Sequence, residues 1–244
     1  MSMPSAPEDN LPSRERFGGD TRVTHAMEDY LKAAYALEQE GGPVTTLRLA
    51  EALGLSGPSV TNMIKRLDDL KLVVHNPYHG ISLTASGRGV ALEVIRHHRL
   101  LELYLARALG FEWDEVHQEA ERLEHHVSEE LERRMERALD YPEFDPHGDP
   151  IPTRAGTIPS VEDVALPDLE IGVTATISRV SDRDAEKLRY MSTHELRPGT
   201  SLTVRERLPY DGPIRIRIND DEQLVPLAIA CLVRVQEEEA SKVS

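Results

Sequence analysis

The segment TTLRLAEALGLSGPSVTNMIKRLDDLKLV, residues 45–73, has the pattern of two short helices joined by a tight turn. Its apolar spacing predicts helices over about 46–53 and 58–70, with the turn at residues 54–56. Pro58 fits this pattern because the first turn of a helix tolerates proline. The sequence therefore predicts a helix-turn-helix.

The flanking sequence completes the pattern of a winged helix-turn-helix domain. Before the segment, apolar residues recur at helical spacing over about 24–39, until Gly41 and Gly42 interrupt them. After it, LVVHNPYHGISLT at residues 72–84 predicts two short strands around a turn. Helix, helix-turn-helix and hairpin follow one another as in a winged domain, which we assign to residues 23–89.

The second helix of the predicted helix-turn-helix, about 58–70, carries side chains suited to reading DNA. A helix in the major groove offers small polar groups to base edges near its N-terminus and cations to nearby phosphates. The candidates are Ser56, Pro58, Ser59, Thr61, Asn62, Lys65 and Arg66. The alternative is a helical pair that only packs on itself. The joint presence of the turn, the polar row and the wing favours binding to double-stranded DNA.

Charge is distributed unevenly along the 244 residues. The whole chain has a formal net charge of −15, but residues 44–100 have seven Lys or Arg against four acids. Residues 111–145 have thirteen acids against four arginines. A small local excess of cations supports few phosphate contacts, and affinity for DNA rises steeply with their number. We therefore expect a homodimer, formed by the helices after the wing, on a palindromic site.

The N-terminal sequence has no targeting signal. Residues 1–22 are rich in Pro, Ser, Gly and charge and lack periodicity, which predicts a flexible arm. They contain no apolar core of a signal peptide, and no run in the chain approaches the roughly 18 apolar residues of a membrane span. We expect a cytoplasmic protein that does not contact membranes.

The rest of the chain divides into helical and strand-like parts. Helical patterns cover about 85–109 and 112–139, and the second predicts one apolar stripe. The stripe consists of Val116, Ala120, Leu123, Val127 and Leu131. Residues 146–166 are rich in Pro and Gly, which predicts a linker. Short strand-like runs around one helical stretch then predict a small β-barrel over 167–240, so that the fold class is α+β.

The stretch EAERLEHHVSEELERR, which begins at Glu119, leaves two interpretations open. Glu121, Glu124 and His125 stand at i, i+3 and i+4, so on a helix their side chains share one face. Carboxylates and imidazoles at this spacing can hold a metal, but Glu-rich amphipathic helices are usually only solvated. The spacing alone does not decide between a metal site and a solvated surface.

Several motifs, in one order, resemble the diphtheria-toxin-repressor family of iron- and manganese-dependent bacterial transcription regulators. They are MEDYLKAAYALEQE, LAEALGLSGPSVTNMIKRL, GISLTASGRG, IRHHRLLELYL and EAERLEHHVSEELERR. The resemblance spans about residues 24–145 and continues through GDPIP at 148–152. The C-terminal part resembles the SH3-like, ferrous-transport-associated domain of the longer members. These similarities imply a helical metal-binding and dimerisation domain over residues 90–145 and an SH3-like domain after the linker.

The resemblance also implies two sets of metal ligands. The family's primary site falls on Asp29, Glu121, Glu124 and His125. The ancillary site of the longer members falls on His98, Glu102 and His117, completed by polar residues of the barrel, for which we nominate Asp182 and then Asp184. In shorter manganese-responsive members the position of His98 serves the main cluster instead, so its assignment stays open.

Two of these positions distinguish metals within the family. Iron-responsive members have Met and Cys where this chain has Asp29 and Glu121, whereas manganese-responsive members have carboxylates. Because oxygen-rich sites suit hard ions, we expect Mn(II), with Fe(II) as the alternative and Zn(II), Co(II) or Cd(II) as substitutes in vitro. Lys32 occupies a position where the shorter manganese-responsive members have an acid, so their two-metal cluster need not be reproduced here.

The resemblance further implies a mechanism and a function. One cation would be held by Asp29 in the DNA-binding half and by three residues of the helical half, and would activate a repressor of manganese uptake genes. A metalloenzyme or metal-storage protein is disfavoured, because the sequence contains neither an HExxH motif nor a nucleophile elbow. A winged regulator that responds to an organic effector is a third class. The role of the barrel stays open between donating ligands, binding the linker and binding a partner.

Overall fold

The computed structural model describes residues 23–76 and 80–238. The predicted flexible arm, residues 1–22, lies outside the described residues, as do the tip of the predicted wing, residues 77–79, and residues 239–244. The described chain forms two compact units: one contains the residues up to His97 and Pro152–Ile158, and the other contains His98–Ile151 and the residues from Pro159 onward. Within the described ranges, no helix is long and apolar enough to cross a membrane.

The first unit has the predicted order of a winged helix-turn-helix. Its elements are α1 (His25–Glu40), α2 (Thr46–Leu53), α3 (Gly57–Asp69), β1 (Val73–Asn76), β2 (Gly80–Leu83) and the first part of α4 (Ala85–Leu109). Thr24 and Thr45 cap α1 and α2 with their side-chain oxygens. Gly54 ends α2 in the left-handed conformation, φ 64°, as the predicted tight turn requires. The strands β1 and β2 pair antiparallel.

One apolar core holds this unit together, and two glycines let its segments approach closely. The largest fully buried side chains of the core are Met27, Leu31, Leu49, Ile64, Leu67 and Leu72. A Cβ on Gly80 would lie 2.2 Å from the Val44 carbonyl oxygen, and one on Gly87 would lie 1.9 Å from that of Leu72. The start of β2 is therefore held against Val44, two residues before α2, and the start of α4 against the residue before β1.

The helical part of the second unit breaks where the sequence predicts continuity. After α4 come α5 (Val116–Leu123), a 3-10 turn (Glu124–His126) and α6 (Glu129–Ala138), so the single helix predicted over 112–139 is wrong. Val127 is extended, and the Ser128 hydroxyl accepts a hydrogen bond from Leu131 N at 3.2 Å. A serine cap followed by acids in the first turn is a strong helix start, and here it outweighs the helical periodicity.

The predicted apolar stripe is only partly right as a result. Three of its five members are buried, whereas Leu123 and Leu131 are 38% and 44% exposed. Met135 and Leu139 fill the core in their place, together with leucines of α4. The break in the helix thus changes which side chains α6 buries.

The C-terminal residues of the second unit form a six-stranded antiparallel sheet with an apolar core. Its strands are β3 (Val164–Ala165), β4 (Thr174–Val180), β5 (Ser201–Arg207), β6 (Ile214–Ile218), β7 (Asp221–Val225) and β8 (Val233–Glu237), paired in the order β3-β8-β4-β5-β6-β7. Two helices, α7 (Ala185–Thr193) and α8 (Leu227–Ala230), accompany the sheet. The strand-like runs of the sequence predict β4, β5 and β6, and the helical stretch between them predicts α7. These runs miss the two-residue strand β3, which lies in the predicted linker, and the charged strand β7, and they merge α8 with β8 into one strand.

The segment predicted as a linker over 146–166 begins as a folded part of the second unit. Asp145 Oδ1 accepts hydrogen bonds from the backbone N of His147 at 2.8 Å and of Asp149 at 2.9 Å, which closes a tight turn. The His147 carbonyl accepts a hydrogen bond from Val180 N, at the end of β4, at 2.9 Å. The imidazole of His147 is fully buried. This part of the segment is packed against β4, although its Pro and Gly content predicts a free chain.

Candidate metal centre and DNA-binding surface

His98 of α4 lies at the centre of the predicted metal ligands in the second unit. Its Nδ1 is 2.5 Å from Glu124 Oε2, and its Nε2 is 2.9 Å from Glu102 Oε1. All three side chains are almost fully buried. The sequence leaves the assignment of His98 open between two sites, and its ring contacts one predicted ligand of each.

Four side chains converge on one point beside this ring. His98, Glu102, His117 and Asp182 each offer one ligand atom, and these four atoms lie within 4.8 Å of one another. His117 Nδ1 is 3.1 Å from both His98 Nε2 and Glu102 Oε1, and 3.2 Å from Asp182 Oδ2. Helices α4 and α5 and the loop after β4 supply them. The group coincides with the predicted ancillary set, whereas Asp184, the second nominee, caps α7.

The other oxygen of Glu102 faces two residues that the sequence interpretation missed. Glu102, Asp145 and His147 also offer ligand atoms within 4.8 Å of one another. Glu102 Oε2 and His147 Nδ1 are 3.7 Å apart, and neither has a hydrogen-bond partner among the described residues. An unsatisfied buried polar atom costs roughly 1–3 kcal/mol, so a cation that both atoms could ligate fits this position. The acids and histidine of DPHGDP were a visible signal, but the prolines and glycine around them indicate a linker.

The charges in this group depend on one another. Burial alone would raise the pKa of Glu102, but the imidazoles of His98, His117 and His147 hold it well below its usual range. Burial would lower the pKa of His117, and its hydrogen bonds to Asp182 and Glu102 instead raise it to about 10. The neighbouring Glu102 carboxylate likewise raises the pKa of the buried His147 to about 9. The imidazoles of His117 and His147 thus depend on carboxylates for their charge, and the Glu102 carboxylate depends on the imidazoles around it.

Asp145 shows the opposite shift. Burial, reinforced by the carboxylates of Glu102 and Asp149, raises the pKa of Asp145 well above its usual range, against the attraction of Arg99. The Arg99 Nε atom is 3.6 Å from Asp145 Oδ2. Burial and the neighbouring carboxylates disfavour the ionised form of Asp145, and a nearby divalent cation would stabilise that form.

The residues predicted to form the primary site are only partly brought together within the second unit. Glu124 and His125 lie in the 3-10 turn after α5, where Glu124 Oε1 is 3.6 Å from His125 Nε2. Glu121 lies on α5 with its side chain 55% exposed, and its Oε1 is 3.6 Å from His117 Nε2. Among the described residues it joins none of the groups of mutually close ligand atoms. Asp29 is half-buried on α1 of the first unit, and its role as a ligand stays a prediction.

Helix α3 exposes every residue predicted to face DNA. The exposed residues are Ser56, Pro58, Ser59, Thr61, Asn62, Lys65 and Arg66. The opposite face buries Val60, Ile64 and Leu67 in the core of the first unit. The helix therefore separates a row of polar and cationic side chains from the face that fixes it to the domain.

The polar side chains of this row differ in their availability. Ser56 Oγ and Ser59 Oγ are 3.0 Å apart, and Thr61 Oγ1 donates to the Gly57 carbonyl at 2.9 Å. Asn62, in contrast, has no side-chain hydrogen bond within the described part of the chain. Its amide is therefore the group best able to offer both a donor and an acceptor to a base edge.

The wing is fixed to α1 by one carboxylate. Glu38 Oε1 accepts a hydrogen bond from Leu83 N of β2 at 2.9 Å, and Glu38 Oε2 is 2.6 Å from the Arg88 guanidinium. The same guanidinium lies over the Tyr35 ring, 5.4 Å from its centroid. Glu38 thus links the end of α1 to the last residue of the hairpin and to the start of α4.

Comparison with known proteins assigns a role to each part of the chain. Residues 22–81 match the N-terminal DNA binding domain of the iron dependent repressors, residues 84–153 match their metal binding and dimerisation domain, and residues 164–237 match the FeoA domain. The iron-dependent repressor IdeR of Mycobacterium tuberculosis is 33% identical over 227 residues, which cover 88% of this chain and 98% of IdeR. The diphtheria toxin repressor of Corynebacterium diphtheriae is 30% identical over 225 residues, with the same coverage of both chains.

A solved structure supports the same assignment over the whole architecture. A manganese-dependent transcriptional repressor in complex with manganese matches with a TM-score of 0.82 at 36% identity, and the match covers 87% of this chain and 100% of that chain. A winged DNA-binding domain followed by a metal-binding dimerisation domain defines a metal-dependent transcriptional repressor. The chain belongs to the iron-dependent repressor family, which is the family of the diphtheria toxin repressor.

This membership confirms several expectations from the sequence. The motif resemblance is confirmed, as is the α+β fold with its winged domain, helical dimerisation domain and C-terminal SH3-like domain of the FeoA type. The chain binds DNA and dimerises through the metal-binding domain, as its family does. Its relatives are repressors, so the protein is not an enzyme.

Proposed function

We propose that this protein is a Mn(II)-activated repressor of manganese uptake genes that acts as a homodimer on a palindromic operator. The observation that carries the proposal is the donor set: the candidate ligands are carboxylates and imidazoles, with no sulfur among them. Carboxylate oxygens suit a hard ion such as Mn(II), whereas Met and Cys favour softer ions. The name of the similar manganese-dependent repressor supports the same metal.

Fe(II) is the second candidate metal. IdeR is named for iron, and one candidate group contains two imidazoles, His98 and His117, which suit Fe(II) as well as Zn(II). Zn(II), Co(II) and Cd(II) are expected to substitute in vitro. Because Zn(II) binds most such sites more tightly than Mn(II), selection of Mn(II) in a cell has to come from geometry and metal availability.

Two sets of side chains would hold cations. One set is His98, Glu102, His117 and Asp182, and the other is Glu121, Glu124 and His125 with Asp29 as its predicted fourth member. A bound divalent cation would supply the positive charge that offsets the buried carboxylates. His98 contacts a carboxylate of each set, at Glu102 and Glu124, so its ring can orient both.

Metal dependence requires that the DNA-competent state hold the cation more tightly than other states do. A ligand shifts a population only by its differential affinity for the two states. Asp29 would supply that difference, because it lies on α1 of the unit that also carries α3. With Asp29 as a ligand, a cation held by the second unit would favour one arrangement of the DNA-binding unit.

Binding to selected DNA tests the metal and the symmetry together. Duplexes would be selected from a random pool with the Mn²⁺-loaded dimer, then titrated with Mn²⁺, anaerobic Fe²⁺, Zn²⁺ or a chelator. We expect selected sites to be palindromic, with tight binding in Mn²⁺ and none in chelator. Inserting half a helical turn between the half-sites should abolish binding. Operator binding that is indifferent to chelation would overturn the proposal, and activation by Fe²⁺ alone would assign the iron function.

Replacement of Glu121 tests the other ligand set. Glu121→Ala should abolish Mn²⁺-dependent operator binding and leave the dimer folded, because the side chain is mostly exposed. Glu119→Ala is the matched control on α5, since Glu119 pairs with the exposed Arg122 at 3.0 Å. Size-exclusion chromatography would report the dimer. Full Mn²⁺-dependent binding by Glu121→Ala would remove Glu121 from the ligand set.

A further inference from the structure

The end of β4 has an irregularity that gathers two side chains on one carboxylate. The pairing of β4 with β8 shifts register between Ile177 and Arg179, which is the signature of a β-bulge. As a result Ser178 Oγ and Arg179 Nε both reach Asp163 Oδ2, at 3.1 and 2.7 Å. The Asp163 side chain is 1% exposed and is also bound by Arg234 at 2.8 Å. The bulge is thereby fixed inside the C-terminal domain.

The last three residues of β4, Ser178, Arg179 and Val180, contact the folded segment that precedes the C-terminal domain. Arg179 extends a second nitrogen to Asp149 Oδ1 at 3.1 Å, and Val180 N donates to the His147 carbonyl at 2.9 Å. Between them Gly148, at φ 90°, leaves no room for a side chain, since a Cβ would lie 2.0 Å from the Ser178 carbonyl oxygen. Arg179 binds a carboxylate on each side of the bulge: Asp149 in the folded segment and Asp163 in the C-terminal domain.

This contact lies directly before the candidate ligand that the C-terminal domain supplies. Asp182 follows Val180 by two residues, and its Oδ2 is 3.2 Å from His117 Nδ1. Two residues of extended chain span only about 7 Å, so the place of Val180 limits where the Asp182 carboxylate can go. A β-bulge that is fixed on both sides is a known means of aiming a side chain.

We infer that Arg179 is a positioning residue for the candidate metal centre. By bridging Asp149 and Asp163 it fixes the end of β4, and thereby holds Asp182 at the group formed by His98, Glu102 and His117. The inference rests on the proposed role of that group in holding a cation. It gives the C-terminal domain a defined task, which is to deliver one ligand from a position set by the protein before the metal arrives.

A double-mutant cycle separates positioning from a general effect on stability. Mn²⁺ affinity of the full-length dimer would be measured by calorimetry for wild type, Asp182→Asn, Arg179→Ala and the double variant, with His117→Ala identifying the site. Supporting groups around metal ligands typically contribute roughly 10- to 100-fold in affinity. We expect Asp182→Asn and Arg179→Ala each to weaken Mn²⁺ binding about tenfold, and the double variant to be no weaker than Asp182→Asn. This non-additivity follows because Arg179 acts only through Asp182.

Two further variants keep the test valid if Arg179→Ala folds poorly. Asp149→Asn breaks only one of the two bridges and should weaken Mn²⁺ binding by a smaller factor. Arg215→Ala removes an arginine of β6 that pairs with Glu206 at 3.2 Å, and should leave the affinity unchanged. Hydrogen exchange of the metal-free protein gives an independent readout. Amides of residues 178–183 should exchange faster in Arg179→Ala but not in Asp182→Asn.

The outcomes distinguish this inference from the proposed function. Weaker Mn²⁺ binding by Asp182→Asn together with unchanged binding by Arg179→Ala would overturn the inference and leave the metal site in place. Additive losses in the double variant would overturn it as well, since Arg179 would then act through stability. No effect of Asp182→Asn would remove the ligand and the inference together. Normal Mn²⁺ binding without metal-dependent DNA binding would contradict the proposed function alone.

Discussion

The two compact units place their functional side chains in opposite environments. The DNA-facing row of α3 is exposed throughout, whereas His98, Glu102, Glu124 and His147 of the second unit are buried. An exposed cation keeps its charge at little cost and acts through many salt-sensitive contacts with phosphates. A buried carboxylate costs several kcal/mol unless an opposite charge lies beside it. Burial therefore separates a site suited to one cation from a surface suited to a polyanion.

This difference predicts the size of mutational effects. Changes among the buried groups remove a charge whose partners cannot turn to water, so their effects should be large and should extend to stability. Changes on the exposed row leave the fold intact, and their effects should be confined to DNA affinity.

Glu102 should show the largest effect, because its side chain is 0% exposed and three imidazoles face it. We expect Glu102→Ala to weaken Mn²⁺ binding by roughly 100-fold or more, since loss of even a supporting group costs about 10- to 100-fold. Removing one partner of a buried charged group should also lower the free energy of unfolding by about 3–5 kcal/mol. Calorimetry with Mn²⁺ and urea unfolding of the metal-free protein measure the two effects.

The matched comparison for this prediction is an exposed acid of the same domain. Glu130 on α6 forms exposed pairs with Arg133 and Arg134. Glu130→Ala should change neither Mn²⁺ affinity nor stability measurably, because exposed ion pairs contribute little. If Glu102→Ala retained full Mn²⁺ affinity, its burial would serve packing alone and the comparison between the units would fail.

Asp163 is a buried carboxylate that pairs with two arginines, and its contribution to stability should depend on pH. Burial alone would raise its pKa, but the guanidinium groups of Arg179 and Arg234 hold the pKa of Asp163 below its usual range. The ionised carboxylate therefore stabilises the fold at pH values above its ordinary pKa of about 3.9, and this stabilisation is lost as the pH falls through the lower pKa of the folded state. We expect Asp163→Asn to lower the free energy of unfolding by about 1.5–3 kcal/mol at pH 7 and by less at pH 3.

Fluorescence of the single tryptophan can follow this prediction. Trp113 packs against the core of the C-terminal domain, and its Nε1 donates to the Pro146 carbonyl at 3.0 Å. Urea titrations of wild type and Asp163→Asn at the two pH values give the difference in free energy directly. Equal losses at pH 7 and pH 3 would mean that the charge of Asp163 does not stabilise the domain.

The DNA-binding unit was the more predictable of the two from sequence. Its determinants are local: the caps at Thr24 and Thr45, the left-handed Gly54 and the apolar spacing of α2 and α3 all act within a few residues. The predicted bounds of α2 match the structure, and those of α3 differ by one residue at each end. Short-range signals of this kind can be read from a single sequence.

The second unit was harder because its decisive contacts are distant in sequence. The carbonyl of the buried His147 pairs with Val180 N, and its Nε2 lies 3.0 Å from the Trp113 carbonyl oxygen. Pro and Gly around His147 nevertheless indicate a loop by local rules. The spacing of Glu121, Glu124 and His125 indicates one helix face, yet α5 ends at Leu123 and leaves Glu121 exposed. Ser128 was the readable signal of that break, since a serine followed by acids commonly starts a helix.

Within the DNA-binding unit, Asn62 should show the largest effect. An asparagine can pair with adenine through two hydrogen bonds, which are worth about 1–3 kcal/mol of discrimination between bases. We expect Asn62→Ala to weaken binding to the selected operator about tenfold and to leave binding to unrelated DNA and protein stability unchanged. Fluorescence anisotropy of labelled duplexes in Mn²⁺ measures both affinities.

Lys65→Ala is the contrasting variant on the same helix. A contact to phosphate carries no sequence information, so this change should weaken binding to selected and unrelated DNA alike. It should also reduce the slope of log affinity against log salt by about one. If Asn62→Ala weakened both DNAs equally, Asn62 would act on the backbone, and another residue of the row would read the bases.

The smallest effect is expected at Glu38, whose side chain is partly buried, so that it is less exposed than the row on α3 and less buried than Glu102. Its hydrogen bond to Leu83 N and its pair with Arg88 fix the wing, and a net hydrogen bond of about 1 kcal/mol corresponds to a few-fold change in affinity. We expect Glu38→Ala to weaken Mn²⁺-dependent DNA binding a few-fold without changing Mn²⁺ affinity. Glu38→Gln should recover part of the loss, because its amide oxygen can still accept from Leu83 N.

Glu40, two residues further along at the end of α1, provides the control for Glu38. It pairs with Arg48, which lies outside the hairpin, at 3.1 Å, so Glu40→Ala should bind DNA like wild type. Wild-type affinity in Glu38→Ala would mean that the close approach of Gly80 to Val44 alone fixes the wing. A loss of DNA affinity that is smaller in Glu38→Gln than in Glu38→Ala would instead show that the Glu38 carboxylate helps to fix the wing for DNA binding.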